Sequence, residues 1–261
     1  MPKDANHQTY HYNAHGHALS GRIERPLDHL IEVQAAVSLP LIGGFGSTRV
    51  NDFRFQEFFT CQSAYSHVSG SRQEEDGTHT TQITSTVEQL NILEMVTADR
   101  VVARISSQHP SPHHEPAIIF LGSKFENLRI AGCPVDVELD HELFLRLNTF
   151  EAFRKEFQSN AEFRKMAEDP YQTGRAQTLP DAHGVVLCSL VKNMKTSCPG
   201  VERRGHVFTV PQFGKIYVGE FLAEEGQRTL TMLRLELGSP VSGTVLVTQA
   251  MVNGRPYPPT P

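Results

Sequence analysis

Most of this chain alternates between apolar and polar residues, which is the pattern of β-strands that bury one face. The alternation is clearest from Leu30 to Leu39, where one face would carry Ile31, Val33, Ala35, Val37 and Leu39. The Thr-rich run Thr78–Gln89 suits a pleated sheet and would make a poor helix. We therefore expect strands to be the main elements.

Glycine, proline and polar clusters divide this pattern into separate strands. The dividing segments include the glycine-rich Gly43–Gly46, the acidic turn Ser69–Gly77 and the proline-rich loop His109–Pro116. The predicted strands are Tyr10–Glu24, Leu30–Leu39, Phe53–Gly70, Thr78–Gln89, Val101–Ile105, Ala117–Leu121, Phe125–Ile130, Pro134–Glu138, Gly184–Leu190, His206–Val210, Lys215–Leu222, Arg228–Leu237 and Pro240–Val252.

The spacing of apolar residues changes between His141 and Ala167, where they recur every three or four positions instead of every two. This spacing predicts an amphipathic helical segment that is broken near Ser159–Asn160 and ends at Asp169–Pro170. We expect the segment to cover one face of a sheet.

These elements predict a mainly β fold, an antiparallel β-sandwich or barrel with one inserted amphipathic α-helical segment at about 141–167. All-β sandwiches and barrels commonly reach 261 residues as one domain. We therefore expect a single β-rich domain over 1–261, with the helical insertion at 140–169.

Composition and charge bear on which partners the protein can bind and on the compartment in which it is found. The formal net charge of −5 gives no basic surface for nucleic acid, and no apolar run is long enough for a membrane helix. The first residues lack the apolar core of a secretory signal, so we expect a cytoplasmic protein, with export by an unrecognised route as the alternative.

The four cysteines are Cys61, Cys133, Cys188 and Cys198, and their scattered spacing matches neither a metal site nor a disulfide scaffold. We expect them to be reduced thiols. A disulfide between Cys188 and Cys198 is the pairing considered for an oxidising compartment.

Histidines near the start of the chain are the first candidate site. In a continuous strand His11, His15 and His17 project to one side, and residues two apart stand roughly 6 to 7 Å apart. Two imidazoles at that spacing can converge on one divalent transition metal such as zinc, with a third ligand from His11 or another strand. The alternative is a polar, solvent-facing strand.

A second histidine pair, His113 and His114, lies in the proline-rich loop and is a further metal candidate, with a solvated loop as the alternative. Asp140 at the start of the helical segment is explained by capping of free amides. The chain has no G-x-S-x-G nucleophile elbow and no phosphate-binding loop opening a helix.

Three segments within residues 80–137 carry a family resemblance. Val87–Leu93, Thr97–Val101 and Phe125–Gly132 resemble the core of the bacterial β domains called choice-of-anchor P. The resemblance implies a β-rich domain without a known catalytic set, in a family whose members are generally exported. This chain differs in its helical segment and in lacking a signal peptide and an anchoring tail, which argues against a cell-surface role.

Two function classes remain. The first is a non-catalytic module that binds a small ligand, a glycan or a protein partner, another copy of the chain included. The second is an enzyme that acts on a small organic substrate in a β-enclosed pocket, through histidines with or without a transition metal. The lack of a complete catalytic motif favours the first class.

Overall fold

A computed structural model describes residues 9–110, 115–169, 186–224 and 227–257. The helices in these residues are α1 (His141–Arg146), α2 (Phe150–Ser159) and α3 (Ala161–Glu168). The strands are β1 (Thr9–His11), β2 (Ala14–Arg25), β3 (His29–Gln34), β4 (Val37–Ser38), β5 (Gly44–Phe55), β6 (Phe59–Arg72), β7 (His79–Ile92), β8 (Val96–His109), β9 (Ala117–Ile119), β10 (Lys124–Glu126), β11 (Arg129–Ile130), β12 (Cys133–Pro134), β13 (Asp136–Leu139), β14 (Val186–Ser189), β15 (Val191–Lys195), β16 (Glu202–Arg204), β17 (Val207–Val210), β18 (Gly214–Glu224), β19 (Gln227–Leu237), β20 (Ser242–Val252) and β21 (Arg255–Tyr257).

Two large antiparallel sheets form a sandwich. Sheet I has the order β12-β11-β8-β7-β6-β5, with β9 and β10 also paired to β8. Sheet II has the order β16-β17-β18-β19-β20-β2-β3, with β14 paired to β18 and β4 to β2. Strands β2 and β20 lie against β7 and β8. The sandwich prediction is confirmed, and neither sheet closes into a barrel within the described ranges.

The core lies between the sheets and is built from the inward residues of both. Ile83 and Ile105 of sheet I and Leu19, Leu233 and Val247 of sheet II are fully buried. Each such side chain contributes about 1.5–3 kcal/mol of transfer free energy, so this layer is the main source of stability.

Each sheet contains one row of residues at which the inward–outward alternation shifts by one position. In sheet II this shift row is Ala18, Ala35, Gly219, Met232 and Thr248, which lie level with one another on β2, after β3, and on β18, β19 and β20. In the order across the sheet, which is Gly219, Met232, Thr248, Ala18 and Ala35, every second residue of the row has a positive φ: 63° at Gly219, 48° at Thr248 and 51° at Ala35. Sheet I has an equivalent row at Asp52, Gln62, Gln89, Asp99 and Asn127.

The shift changes which residues share a face. On β2 the consecutive residues Ala18 and Leu19 are both buried, so His17 and Ser20 lie on the same outer side although they are three positions apart. The strand prediction Tyr10–Glu24 is corrected in one respect, because the chain breaks after His11 and β1 pairs with β21 instead of continuing β2.

The helical segment forms three helices, each with a side-chain cap at its N-terminus. The predicted break at Asn160 is confirmed, because its side chain accepts hydrogen bonds from the amides of Glu162 and Phe163. A second break was not predicted, and there Thr149 caps α2. None of the helices in the described residues is long and apolar enough to cross a membrane.

Two other strand expectations are corrected. The segment Gly43–Gly46 was predicted as a break, but β5 begins at Gly44 and pairs with β6 along its whole length. Glycine removes side-chain packing, yet it leaves the backbone free to pair at the edge of a sheet. Strands β15 and β16 were not predicted, because their residues are mostly polar and exposed.

Cysteine pairing also differs from expectation. Cys133 and Cys198 form a disulfide, with Cα atoms 5.5 Å apart, while Cys61 and Cys188 are free and buried. The expectation of four thiols is therefore wrong, and the pairing considered for Cys198 was with the wrong partner. The two cysteines meet because the β11–β12 hairpin lies beside the segment that follows β15.

Thiol titration tests this pairing. In denatured, unreduced protein we expect two reactive thiols per chain, and four after reduction. In the folded protein both free thiols should react slowly, because burial raises the pKa of Cys61 to about 11 and that of Cys188 further still. Four thiols in unreduced, denatured protein would contradict the disulfide.

Candidate functional site

Two of the predicted histidines lie on the outer face of sheet II, the face turned away from sheet I. His15 is exposed and His17 is partly buried on β2. Burial lowers the pKa of both, and His15 adds to the lowering at His17. The His17 imidazole is therefore neutral near pH 7, and its Nε2 lies 2.7 Å from Ser20 Oγ.

The third predicted histidine lies apart from these two. His11 belongs to β1, where it pairs with Arg255 of β21. His113 and His114 lie outside the described residues. Within the part of the chain that the structure describes, no group of three or more His, Cys, Asp or Glu side chains is placed to hold a metal ion. The metal role of these histidines stays a prediction.

A depression of about 270 Å³ lies next to His17 on the same outer face. We call it the outer-face depression; it is lined by Leu187, Glu220, Leu222, Thr229, Thr231, Arg234 and Gln249. Strand register explains its place, because Glu220, Thr231, Gln249 and His17 form one row across β18, β19, β20 and β2. That row lies directly beside the shift row of sheet II.

Local backbone geometry makes this row possible. At Gly219 the φ of 63° falls in the left-handed region, which glycine adopts at little cost. After this residue Glu220 and Leu222 point outward, whereas Phe221 points into the core. The shift row thus places a carboxylate beside the hydroxyl of Thr231 and the amide of Gln249.

An ion-pair network forms one wall of the depression. The Arg234 guanidinium donates to Glu220 in a bidentate pair with distances of 2.6 and 2.8 Å, and it also bonds Glu236. Its Cζ lies 3.5 Å from the centroid of the Tyr217 ring. Such paired, half-buried charges hold their positions, which is what a preformed site requires.

Neutral polar groups complete the wall. Gln249 Nε2 donates to Thr231 Oγ1 at 3.1 Å. Burial lowers the pKa of the nearby His206 to about 4 although Glu220 opposes the shift, so this imidazole is neutral at pH 7. The site therefore combines fixed donors and acceptors with the aliphatic side chains of Leu187 and Leu222.

Sheet I carries a comparable concavity at its own shift row. It measures about 470 Å³ and is lined by Gln89, Leu90, Asn91, Thr97, Ala98, Asp99, Asn127 and Arg129. Gln89, Asp99 and Arg129 are exposed there, whereas Glu220 and Thr231 of the outer-face depression are buried. Groups held away from water bind a ligand better, so the outer-face depression is the stronger candidate.

Sequence reasoning missed most of this site. It named His15 and His17, which lie at the border, but none of the lining residues. One sequence feature could have indicated the site: Glu220 is a carboxylate within the apolar run of β18. A buried charge in such a run needs a partner, here Arg234 from the next strand.

Comparison with known proteins gives one match. A family model with the description Domain of unknown function (DUF8256) matches residues 10–224, a range that covers most of both sheets. No curated protein and no solved structure matches the chain.

Proposed function

This chain belongs to the DUF8256 family of domains of unknown function, and we propose that it is a binding module for a small polar ligand of the sugar class. The ligand would occupy the outer-face depression. The observation that carries the proposal is the convergence of Glu220, Thr231, Arg234 and Gln249 around aliphatic walls in one concave surface.

The chemistry of the depression matches a sugar ring. A pyranose presents hydroxyls around its edge and C–H groups on its faces, so it needs paired donors and acceptors beside apolar surface. Carboxylate, guanidinium and amide groups supply the hydrogen-bond donors and acceptors, and Leu187 and Leu222 supply the apolar surface. Its volume of about 270 Å³ lies just below the roughly 300–1,000 Å³ of typical ligand pockets, a size suited to a single ring.

Binding to immobilised oligosaccharides, followed by calorimetry with the best of them, tests the proposal. Gln249→Ala removes one amide from the site, so we expect binding about three- to tenfold weaker, the size of one net hydrogen bond. Thr229→Arg places a long side chain across the depression and should abolish binding. Thr244→Ala, an exposed position on the same β20, is the matched control and should leave affinity unchanged.

Either of two results would contradict the proposal that a sugar binds in the outer-face depression. If no oligosaccharide binds, the sugar proposal is wrong. If binding occurs but neither Gln249→Ala nor Thr229→Arg weakens it, the ligand occupies another surface.

A second candidate function rests on the hydrogen bond between Ser20 and His17. With its proton on Nδ1, the neutral imidazole accepts the Ser20 hydroxyl proton at Nε2, which is the arrangement of a serine nucleophile and its general base. The dyad borders the depression, because His17 lies directly opposite Gln249. It would act on an ester carried by a ligand bound there.

A fluorophosphonate probe tests this candidate. If the dyad is active, the probe should attach to Ser20, and His17→Gln should slow the labelling by at least about tenfold, since general-base assistance contributes about 10²–10⁴. Ser47→Ala, an exposed serine of β5, is the control and should label at the normal rate. Intact mass showing no adduct on Ser20 would rule the candidate out.

A further inference from the structure

The disulfide between Cys133 and Cys198 lies at the surface of the protein. Both of its cysteines are partly exposed, whereas the free Cys61 and Cys188 are buried. Exposed disulfides exchange with other thiols more readily than buried ones do, and a buried thiol is a poor nucleophile because burial raises its pKa. In the folded protein the disulfide is therefore the most accessible of the cysteine groups to a small thiol.

A separate depression of about 380 Å³ lies beside this disulfide. We call it the disulfide depression; it is lined by Met194, Lys195, Thr196, Ser197, Cys198, Val201 and Arg203. Cys198 is part of its wall, whereas Cys133 is not. Exchange begins when a thiolate contacts one of the two sulfur atoms, and the depression gives an incoming thiolate room on the Cys198 side.

Two cations line the disulfide depression. Lys195 and Arg203 are both exposed, and the Arg203 guanidinium donates to the carbonyl oxygen of Met194 at 2.6 Å, which fixes its position in the wall. Two acidic residues lie close by, Glu202 beside Arg203 in the chain and Asp136 opposite Lys195 in the β13–β15 pair, but neither lines the depression. An anionic ligand in the depression therefore meets two positive side chains.

We propose that the disulfide depression is a site of thiol–disulfide exchange with a small anionic thiol of the glutathione class. The thiolate sulfur attacks Cys198 Sγ and forms a mixed disulfide, and the Cys133 sulfur leaves as a thiolate with the electron pair of the broken S–S bond. A second thiolate then attacks the sulfur of the bound thiol, which releases the symmetrical disulfide and the Cys198 thiolate. Two small thiols are thus oxidised to one disulfide while the protein disulfide is reduced to two thiols.

The size and chemistry of the disulfide depression fit this class of thiol. Its volume falls within the roughly 300–1,000 Å³ of typical ligand pockets, which suits a thiol the size of a tripeptide. Glutathione has two carboxylates, and Lys195 and Arg203 offer charged donors to them. The hydroxyls of Thr196 and Ser197 add neutral donors and acceptors for its peptide groups.

Opening the disulfide would release a covalent link around the helical segment. Cys133 and Cys198 are 65 residues apart, and β13, the three helices, β14 and β15 all lie between them. The β13–β15 pair would remain as the contact between the two ends of this loop. The disulfide depression shares no residue with the outer-face depression, and the exchange does not depend on sugar binding.

The rates at which glutathione and cysteamine open the disulfide test the proposal. Both thiols react by the same chemistry, but glutathione carries carboxylates and cysteamine an ammonium group, so cations beside Cys198 should favour glutathione. Alkylation and mass spectrometry of the folded protein give each rate, which is divided by the thiolate concentration. Lys195→Gln and Arg203→Gln should each lower the glutathione-to-cysteamine ratio about two- to fivefold, the size of one exposed charge interaction. Lys192→Gln, an exposed cation of the same β15 outside the depression, is the matched control and should leave the ratio unchanged.

A trapped adduct gives a second readout. In Cys133→Ser the Cys198 thiolate can attack oxidised glutathione, a glutathione thiolate leaves, and the mixed disulfide persists because no second protein thiol lies beside it. Intact mass should show one added glutathione, and peptide mapping should place it on Cys198. Three results would overturn the proposal: a disulfide that stays closed in excess glutathione while the protein is folded, a rate ratio that Lys195→Gln and Arg203→Gln lower no more than Lys192→Gln does, or no adduct on Cys198.

Discussion

Replacing Phe153 with alanine is expected to destabilise the protein by about 3–5 kcal/mol, the usual cost of removing a buried aromatic ring. Phe153 is fully buried in α2, and its ring centroid lies 5.5 Å from that of Phe163 and 5.6 Å from that of Phe221. Phe221 belongs to β18 of sheet II, so this ring joins the helices to the sandwich. Urea unfolding followed by circular dichroism measures the loss.

Met166→Ala is the control for that measurement. Met166 lies on α3 and is 38% exposed, so its truncation should change the unfolding free energy by only about 0.5 kcal/mol. If Phe153→Ala leaves the unfolding midpoint where it was, the three helices are a detachable appendage and not part of the core.

Glu115→Ala is expected to cost about 3–5 kcal/mol, because it leaves a buried cation without its partner. The Arg228 side chain is 3% exposed, and its Nη2 lies 3.2 Å from Glu115 Oε1. The same carboxylate accepts hydrogen bonds from the amides of Phe150 and Glu151 at the start of α2. One side chain thus connects β19 to a helix N-terminus.

A double variant separates this ion pair from ordinary packing. Glu115→Ala with Arg228→Met removes both charges, and it should recover a large part of the stability lost in Glu115→Ala. Urea unfolding of the single and double variants gives the coupling. If the double variant is no more stable than the single one, the carboxylate acts through the helix amides and not through the ion pair.

Alternation and helical period predicted much of the framework. The strand expected at Thr78–Gln89 is β7, and the helix break expected at Asn160 is present. These succeed because each depends on local side-chain properties. Strand β5 was missed except for its last three residues, which fall in the predicted strand Phe53–Gly70, because its pairing depends on the backbone of β6, which side-chain polarity does not reveal.

The disulfide and the outer-face depression depend on contacts between distant segments. Cys133 and Cys198 are 65 residues apart, and spacing alone gave no reason to pair them. The depression requires the register of β18, β19, β20 and β2 to bring Glu220 and Gln249 into one row with His17. Such a register, with its one-residue shift, is set by the packed sandwich and not by any short motif.

We propose that the shift row of sheet II creates a sugar site on its outer face. Titration of the isotope-labelled protein with simple sugars, followed by amide chemical shifts, tests this proposal. We expect the largest shifts at Leu187, Glu220, Leu222, Thr229, Thr231 and Gln249, with little change in sheet I. Shifts confined to the concavity of Gln89 and Asp99, or no shifts with any sugar, would contradict it.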